Sequence, residues 1–156
     1  MVLPSLTAAL TAFSFAVGPD TLHCAAAARF LRDDRQMTVA VEADTIDDWR
    51  TGKHTPGCRI TAAGGTNLTV QKEAVLFYER VRGAGWTRTP DPRDAPNEAS
   101  LRFRQGNSDC LFNVNAQALL NTEAEQRVND QLKLKDGQAR YQVFVMCVPV
   151  AAAVAR

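Results

Sequence analysis

Few residues of this chain have the type and spacing to do chemistry. His54 stands four residues before Cys58 across a Thr-Pro-Gly turn, and His23 stands beside Cys24. An imidazole that takes a thiol proton makes a nucleophile pair, so His54 and Cys58 are the catalytic candidates if the protein is a small extracytoplasmic enzyme. Two His and two Cys also have the ligand chemistry of tetrahedral zinc. Structural zinc sites favour close pairs such as C-x-x-C, which the chain lacks, so no metal and no cofactor is expected. G-x-S-x-G and H-E-x-x-H are missing, and Asp47 with Asp48 or Asp91 with Asp94 are neighbouring carboxylates with no motif around them.

A second constellation is basic. Arg88, Arg102 and Arg104 alternate with apolar residues near Trp86, and such a cluster suits a carboxylate, phosphate or sulfated ligand. The plainer reading is a solvated face that protects a sheet edge. The loop of residues 90–97 is a further candidate contact surface. Ala62–Asn67 carries two glycines between a strand and a helix start, a place that favours anions. It is neither a P-loop nor a dinucleotide fingerprint, and a tight connection with an Asn cap explains it. Asn67-Leu68-Thr69 has the form of a glycosylation sequon, which capping also accounts for.

The four cysteines allow three pairings. Cys110 and Cys147 each fall in a strand-like run, DCLFNVN and YQVFVMCVP. The favoured link joins them, closes a loop of about forty residues and contributes about 3–4 kcal/mol by restricting the unfolded chain. Cys58 is then left with Cys24. The alternative keeps all four reduced as small core residues. Disulfides persist in oxidising compartments, which agrees with the start of the chain. MVLPSLTAALTAFSFAVG is apolar and uncharged, and CAAAA at 24–28 offers small residues to a signal peptidase. Pro4, Gly18, Pro19 and Asp20 keep the run below the about 20 apolar residues of a membrane span. The missing basic residues ahead of it depart from a standard leader, and an apolar helix packed on the domain is the alternative.

The remaining composition is that of a globular domain: 156 residues, 46% hydrophobic, 22% charged, net charge +1. A near-neutral chain without zinc-finger spacing, aromatic RNA motif or basic arm gives no ground for nucleic-acid binding.

The elements that must position these residues follow from periodicity. Residues 37–43 alternate as a short strand or the end of a linker, and Asp44 or Thr45 begins one helical turn carrying Ile46 and Trp49. Residues 58–63 form a strand. Residues 68–82 place Ala74, Tyr78 and Val81 on one helical stripe, with Gly83 at the stop. Residues 100–115 read as a β-hairpin turning at Gly106-Asn107. Residues 122–134 form a second helix with Thr122 and Glu125 at capping-box spacing and a stripe of Ala124, Val128 and Leu132. Residues 140–148 make a central strand, apolar on both faces.

The sequence therefore predicts an α+β fold: a mainly antiparallel sheet of four to five strands, one long amphipathic helix at about 68–82 on a face, and a second at about 122–134. Residues 1–28 form a signal-like leader, 29–43 a linker or short strand, 44–149 a single domain and 150–156 a tail. The function this implies is an exported, periplasmic or secreted, disulfide-stabilised binding module, not an enzyme. Its partner would be a protein or a small anionic ligand. The alternatives are the Cys58/His54 enzyme and a structural envelope protein that keeps its apolar N-terminus.

Overall fold

The computed structural model describes residues 19–48, 50–89 and 100–151. The fold is α+β. Its strands are β1 (Thr38–Asp48), β2 (Lys53–Thr66), β3 (Thr87–Arg88), β4 (Ser100–Gln105), β5 (Ser108–Asn115) and β6 (Ala139–Pro149). They form one antiparallel sheet in the order β1-β2-β6-β5-β4-β3. The helices are α1 (Ala25–Arg29), flanked by a 3-10 segment Pro19–Cys24 and a π-helical turn Phe30–Asp34, then α2 (Val70–Gly83) and α3 (Glu123–Gln131). Among the described residues no helix is long and apolar enough to cross a membrane.

Several expectations need correction. The strand count is six, not four to five, because Thr87–Arg88 pairs with Arg104 and Phe103 although two residues carry no readable period. The helical turn expected at Asp44 is instead the continuation of β1, with Thr45 opposite Pro56 and Asp48 opposite Lys53. Cross-strand pairing there overrides the local capping signal. The expected single long helix is joined by the helical segment 19–34. Residues 19–28, read above as the end of a leader, pack against the sheet, with Cys24, Ala27 and Ala28 buried in the core. Trp49, residues 1–18 and the loop 90–97 lie outside the described residues.

Antiparallel register sorts the side chains to two faces. On one face lie Cys58, Ile60 and Ala62 of β2, opposite Cys147, Val145 and Val143 of β6, which face Cys110, Phe112 and Val114 of β5. This face is covered by α2, through Phe77, Tyr78 and Val81, and by the N-terminal helical segment, through Ala27, Ala28, Phe30 and Leu31. Phe77 meets Phe30 edge-on at 5.7 Å and Tyr78 stacks on Phe103 at 5.9 Å. Each such large side chain contributes roughly 1.5–3 kcal/mol through burial. The opposite face is covered over β1 and β2 by α3, whose Ala124 and Val128 pack on Ala40 and Ala63.

The β1–β2 hairpin is longer than its neighbours. β2 pairs with β6 only from Cys58 onward, so residues 53–57 run past it. The hairpin end crosses β6 and brings Arg50 to 3.8 Å from Asp109 of β5. Gly57 permits the close crossing, because a Cβ there would collide with the carbonyl oxygen of Cys147.

A buried polar network fastens α2 to the sheet end. Glu73, 3% exposed, takes Arg35 on one carboxylate oxygen and the Thr66 hydroxyl at 2.6 Å on the other. The helix is started by Thr69, whose hydroxyl accepts from Lys72 N at 3.4 Å. Replacing Glu73 by Ala leaves the Arg35 charge inside without its carboxylate. The expected loss is about 3–5 kcal/mol, read as a lower denaturation midpoint in urea.

Both tyrosines of the chain are buried. Burial pushes the Tyr78 phenol well above its ordinary 10.0, only partly offset by a backbone hydrogen bond at Leu101. Burial also raises Tyr141, with Arg35 opposing it and Glu73 adding to it. The unfolded chain loses these protons first, so the stability they contribute is full below pH 10 and falls as pH rises beyond it. Tyrosinate absorbance should therefore rise only together with loss of the near-ultraviolet dichroism. A tyrosine that titrates normally in the folded protein contradicts this.

Candidate functional site

The four cysteines make one continuous feature. Cys58, Cys147 and Cys110 stand side by side on adjacent strands. Cys110 is bonded to Cys147 with a Cα separation of 4.1 Å, and Cys58 to Cys24 with a Cα separation of 6.0 Å. All four are fully buried, and none is free. The sulfur of Cys58 is thus occupied, which corrects the reading of a Cys58/His54 nucleophile pair. His54 sits at the exposed end of the β1–β2 hairpin, its Nδ1 on the carboxylate of Asp47. Among the described residues, no group of three or more His, Cys, Asp or Glu is placed to hold a metal ion.

The basic candidates are divided between the two faces. Trp86 is 3% exposed in the core, edge-on to Phe112 at 5.4 Å. Arg88 is exposed and registers with Phe103, whereas Arg104 registers with Thr87. Arg102 and Arg104 therefore lie on the face opposite Arg88. Arg102 was expected to point into solvent but is 5% exposed, because the hairpin end closes over this face. Its Nη1 donates to Asp109 Oδ1 at 2.8 Å, and Arg104 Nε donates to Asp109 Oδ2 at 3.0 Å. Arg50 also donates to Asp48, at 3.0 Å through Nε and 3.2 Å through Nη2. Burial pulls the Asp48 carboxyl upward, but the bonds from Arg50 and the charges of Arg50 and Arg102 outweigh it and hold the group below its ordinary range. A small anion at this cluster has to compete with Asp109 for Arg102 and Arg104.

The opposite face also carries a cleft of about 270 Å³ that sequence reasoning missed. Its floor is sheet: Thr61 of β2, Phe144 and Met146 of β6, Asn113 and Asn115 of β5. Its wall is the connection from β5 to α3, with Gln117, Leu119 and Leu120. Glu125 holds this connection in shape. Its carboxylate, on a residue 4% exposed, accepts N–H bonds from Leu119 at 2.8 Å, Leu120 at 2.9 Å and Asn121 at 2.6 Å. Thr122 Oγ1 caps the helix by accepting from Glu125 N at 3.2 Å. A capping box would return the Glu125 carboxylate to the N–H of Thr122. Here it reaches one to three residues further back, and Asn121 takes the left-handed φ of 50° that this requires. Leu119 is left 68% exposed and Leu120 38%.

The signals for this cleft are present but weak. The apolar outer residues Phe144 and Met146 of a central strand imply a cover on that side, and Thr61 is a polar residue among the apolar Ile60, Ala62 and Ala63. Nothing in spacing shows that a glutamate four residues past Asn121 will gather three main-chain N–H groups. A wider groove of about 690 Å³ lies between α2 and β4–β5, lined by Val70, Ala74, Val75, Leu101 and Val114. The Tyr78 hydroxyl beside it donates to Phe112 O at 3.0 Å.

Comparison with known proteins finds no matching family model, no similar curated protein and no similar solved structure.

The Asp109 cluster separates two kinds of arginine. Asp109→Ala removes the carboxylate shared by a buried and a half-exposed guanidinium, and the expected loss is about 3–5 kcal/mol. Arg104→Ala, with a side chain 48% exposed, should cost under about 1 kcal/mol. Equal shifts of the urea midpoint for the two variants would contradict this assignment.

Proposed function

We propose that this chain is an exported, disulfide-stabilised binding module of the periplasm or extracellular space that acts by docking and not by catalysis. The observation that supports this reading is the use of all four cysteines in two fully buried disulfides. Such bonds persist in oxidising compartments and are removed by thiol reductants in the cytosol. The uncharged apolar run of residues 1–18 fits a leader. Because Cys24 holds Cys58, the leader would be cut ahead of Cys24, and not near residue 28.

The docking surface in this reading is the cleft wall of residues 116–121. Leu119, 68% exposed, and its neighbour Leu120 stand on an internally braced connection and give this rim an apolar contact area. Arg88, which is exposed, stays available to a partner's acidic groups elsewhere on the surface, whereas Arg104 is engaged by Asp109.

Thiol state and N-terminus test the export reading together. When the whole chain is expressed in a secreting host, the extracytoplasmic form should begin ahead of Cys24. No cysteine should alkylate before reduction, and four should do so after it. Free thiols in the exported form, or a native fold that accumulates in the cytosol with its cysteines reduced, overturns it.

A further inference from the structure

We propose that the cleft beneath residues 116–121 receives one neutral saccharide unit, such as the terminal hexose of a glycan. This rests on the binding-module reading and names its ligand. The Thr61 hydroxyl is the first observation. Thr61 is 3% exposed at the cleft floor, and its Oγ1 has no hydrogen-bond partner among the described residues. Its polar neighbours are engaged: Gln142 Nε2 donates to Asn129 Oδ1 at 2.6 Å, and Asn113 Oδ1 takes the Ser100 hydroxyl. A buried hydroxyl without a partner destabilises the fold, whereas a ligand hydroxyl that reaches it as the side chains at the cleft floor shift would satisfy it.

Charge gives the ligand class. The cleft is lined by Thr, Asn and Gln side chains and by apolar ones, and its single carboxylate, Glu125, is filled by three N–H groups. No ionised group is left to select an ion, so the ligand is neutral and hydroxyl-rich. The half-buried ring of Phe144 and the Met146 side chain beside it give an apolar floor for the C–H face of a sugar ring. An extended peptide fits less well. The floor strands β2, β6 and β5 are interior to the sheet, so no free strand edge offers backbone pairing, and recognition falls to side chains. A space of about 270 Å³ suits one ring and not a chain.

The test is an amide NMR titration of the full folded domain with glucose, galactose, mannose and N-acetylglucosamine. Glucuronate serves as the charged control and an N-acetylated, amidated Ala-Leu dipeptide as the peptide control. At least one neutral sugar should shift the signals of Thr61, Asn113, Asn115 and Leu119. Thr61→Val, which keeps shape and removes only the hydroxyl, should weaken binding at least about tenfold with an unchanged or higher Tm. Gln117→Ala, at an exposed position, should also weaken it. The proposal is overturned if no neutral sugar shifts these signals, if Thr61→Val binds as well as the parent, or if glucuronate binds more tightly. If only the dipeptide shifts them, the saccharide fails and the binding-module reading stands. If a sugar shifts only residues outside the cleft, the assigned docking surface fails, and the thiol experiment still judges export.

Discussion

Three cysteines in one row across β2, β6 and β5 hold the centre of this molecule. One bond locks β5 to β6, and a second reaches from β2 to Cys24 at the end of the 3-10 segment. In a sheet with one apolar face, a slip of a single residue would turn every side chain to the wrong side. The Cys110–Cys147 link forbids that slip between the two strands it joins. The Cys24–Cys58 link sets the N-terminal helical segment against the same row, so the covering layer and the sheet are tied at one place. With loops of 34 and 37 residues, each link restricts the unfolded chain by about 4 kcal/mol. That is a large share of the 5–15 kcal/mol typical of a domain.

From that row the two faces diverge in character. The side with the sulfurs is a continuous aromatic and aliphatic core under α2 and the N-terminal segment. The other side is finished by polar means, with an Arg–Asp cluster under the folded hairpin end and amide pairs beside α3. Polar packing is directional, and it fixes relative positions more sharply than apolar contact does. It also demands that each group find a partner. The Thr61 hydroxyl is a buried neutral group that finds none among the described residues.

The parts of the fold readable from the sequence are those with a clean period. The hairpin of β4 and β5 follows from the alternation around Phe103 and Phe112, and α2 from the spacing of Ala74, Tyr78 and Val81. What periodicity does not reveal depends on distant partners. Glu73 and Arg102 look solvent-facing as residue types, yet both are buried against opposite charges far along the chain or across a hairpin. The helix expected to reach Leu134 stops at Gln131, and Leu132 is already extended with ψ of 123°. The cleft is hidden for a similar reason, since its floor comes from three strands and its wall from a connection whose shape one carboxylate decides.

That carboxylate has an implication of its own. Glu125 grips only main-chain atoms of residues 119–121, and those atoms are common to nearly all amino acids. At Leu119 and Leu120 the shape of the connection is thereby decoupled from the identity of the side chain, whereas the left-handed φ at 121 still favours Asn or Gly. Mutational drift or laboratory selection can therefore vary Leu119 and Leu120, and with them the surface this rim presents, while the scaffold beneath stays the same.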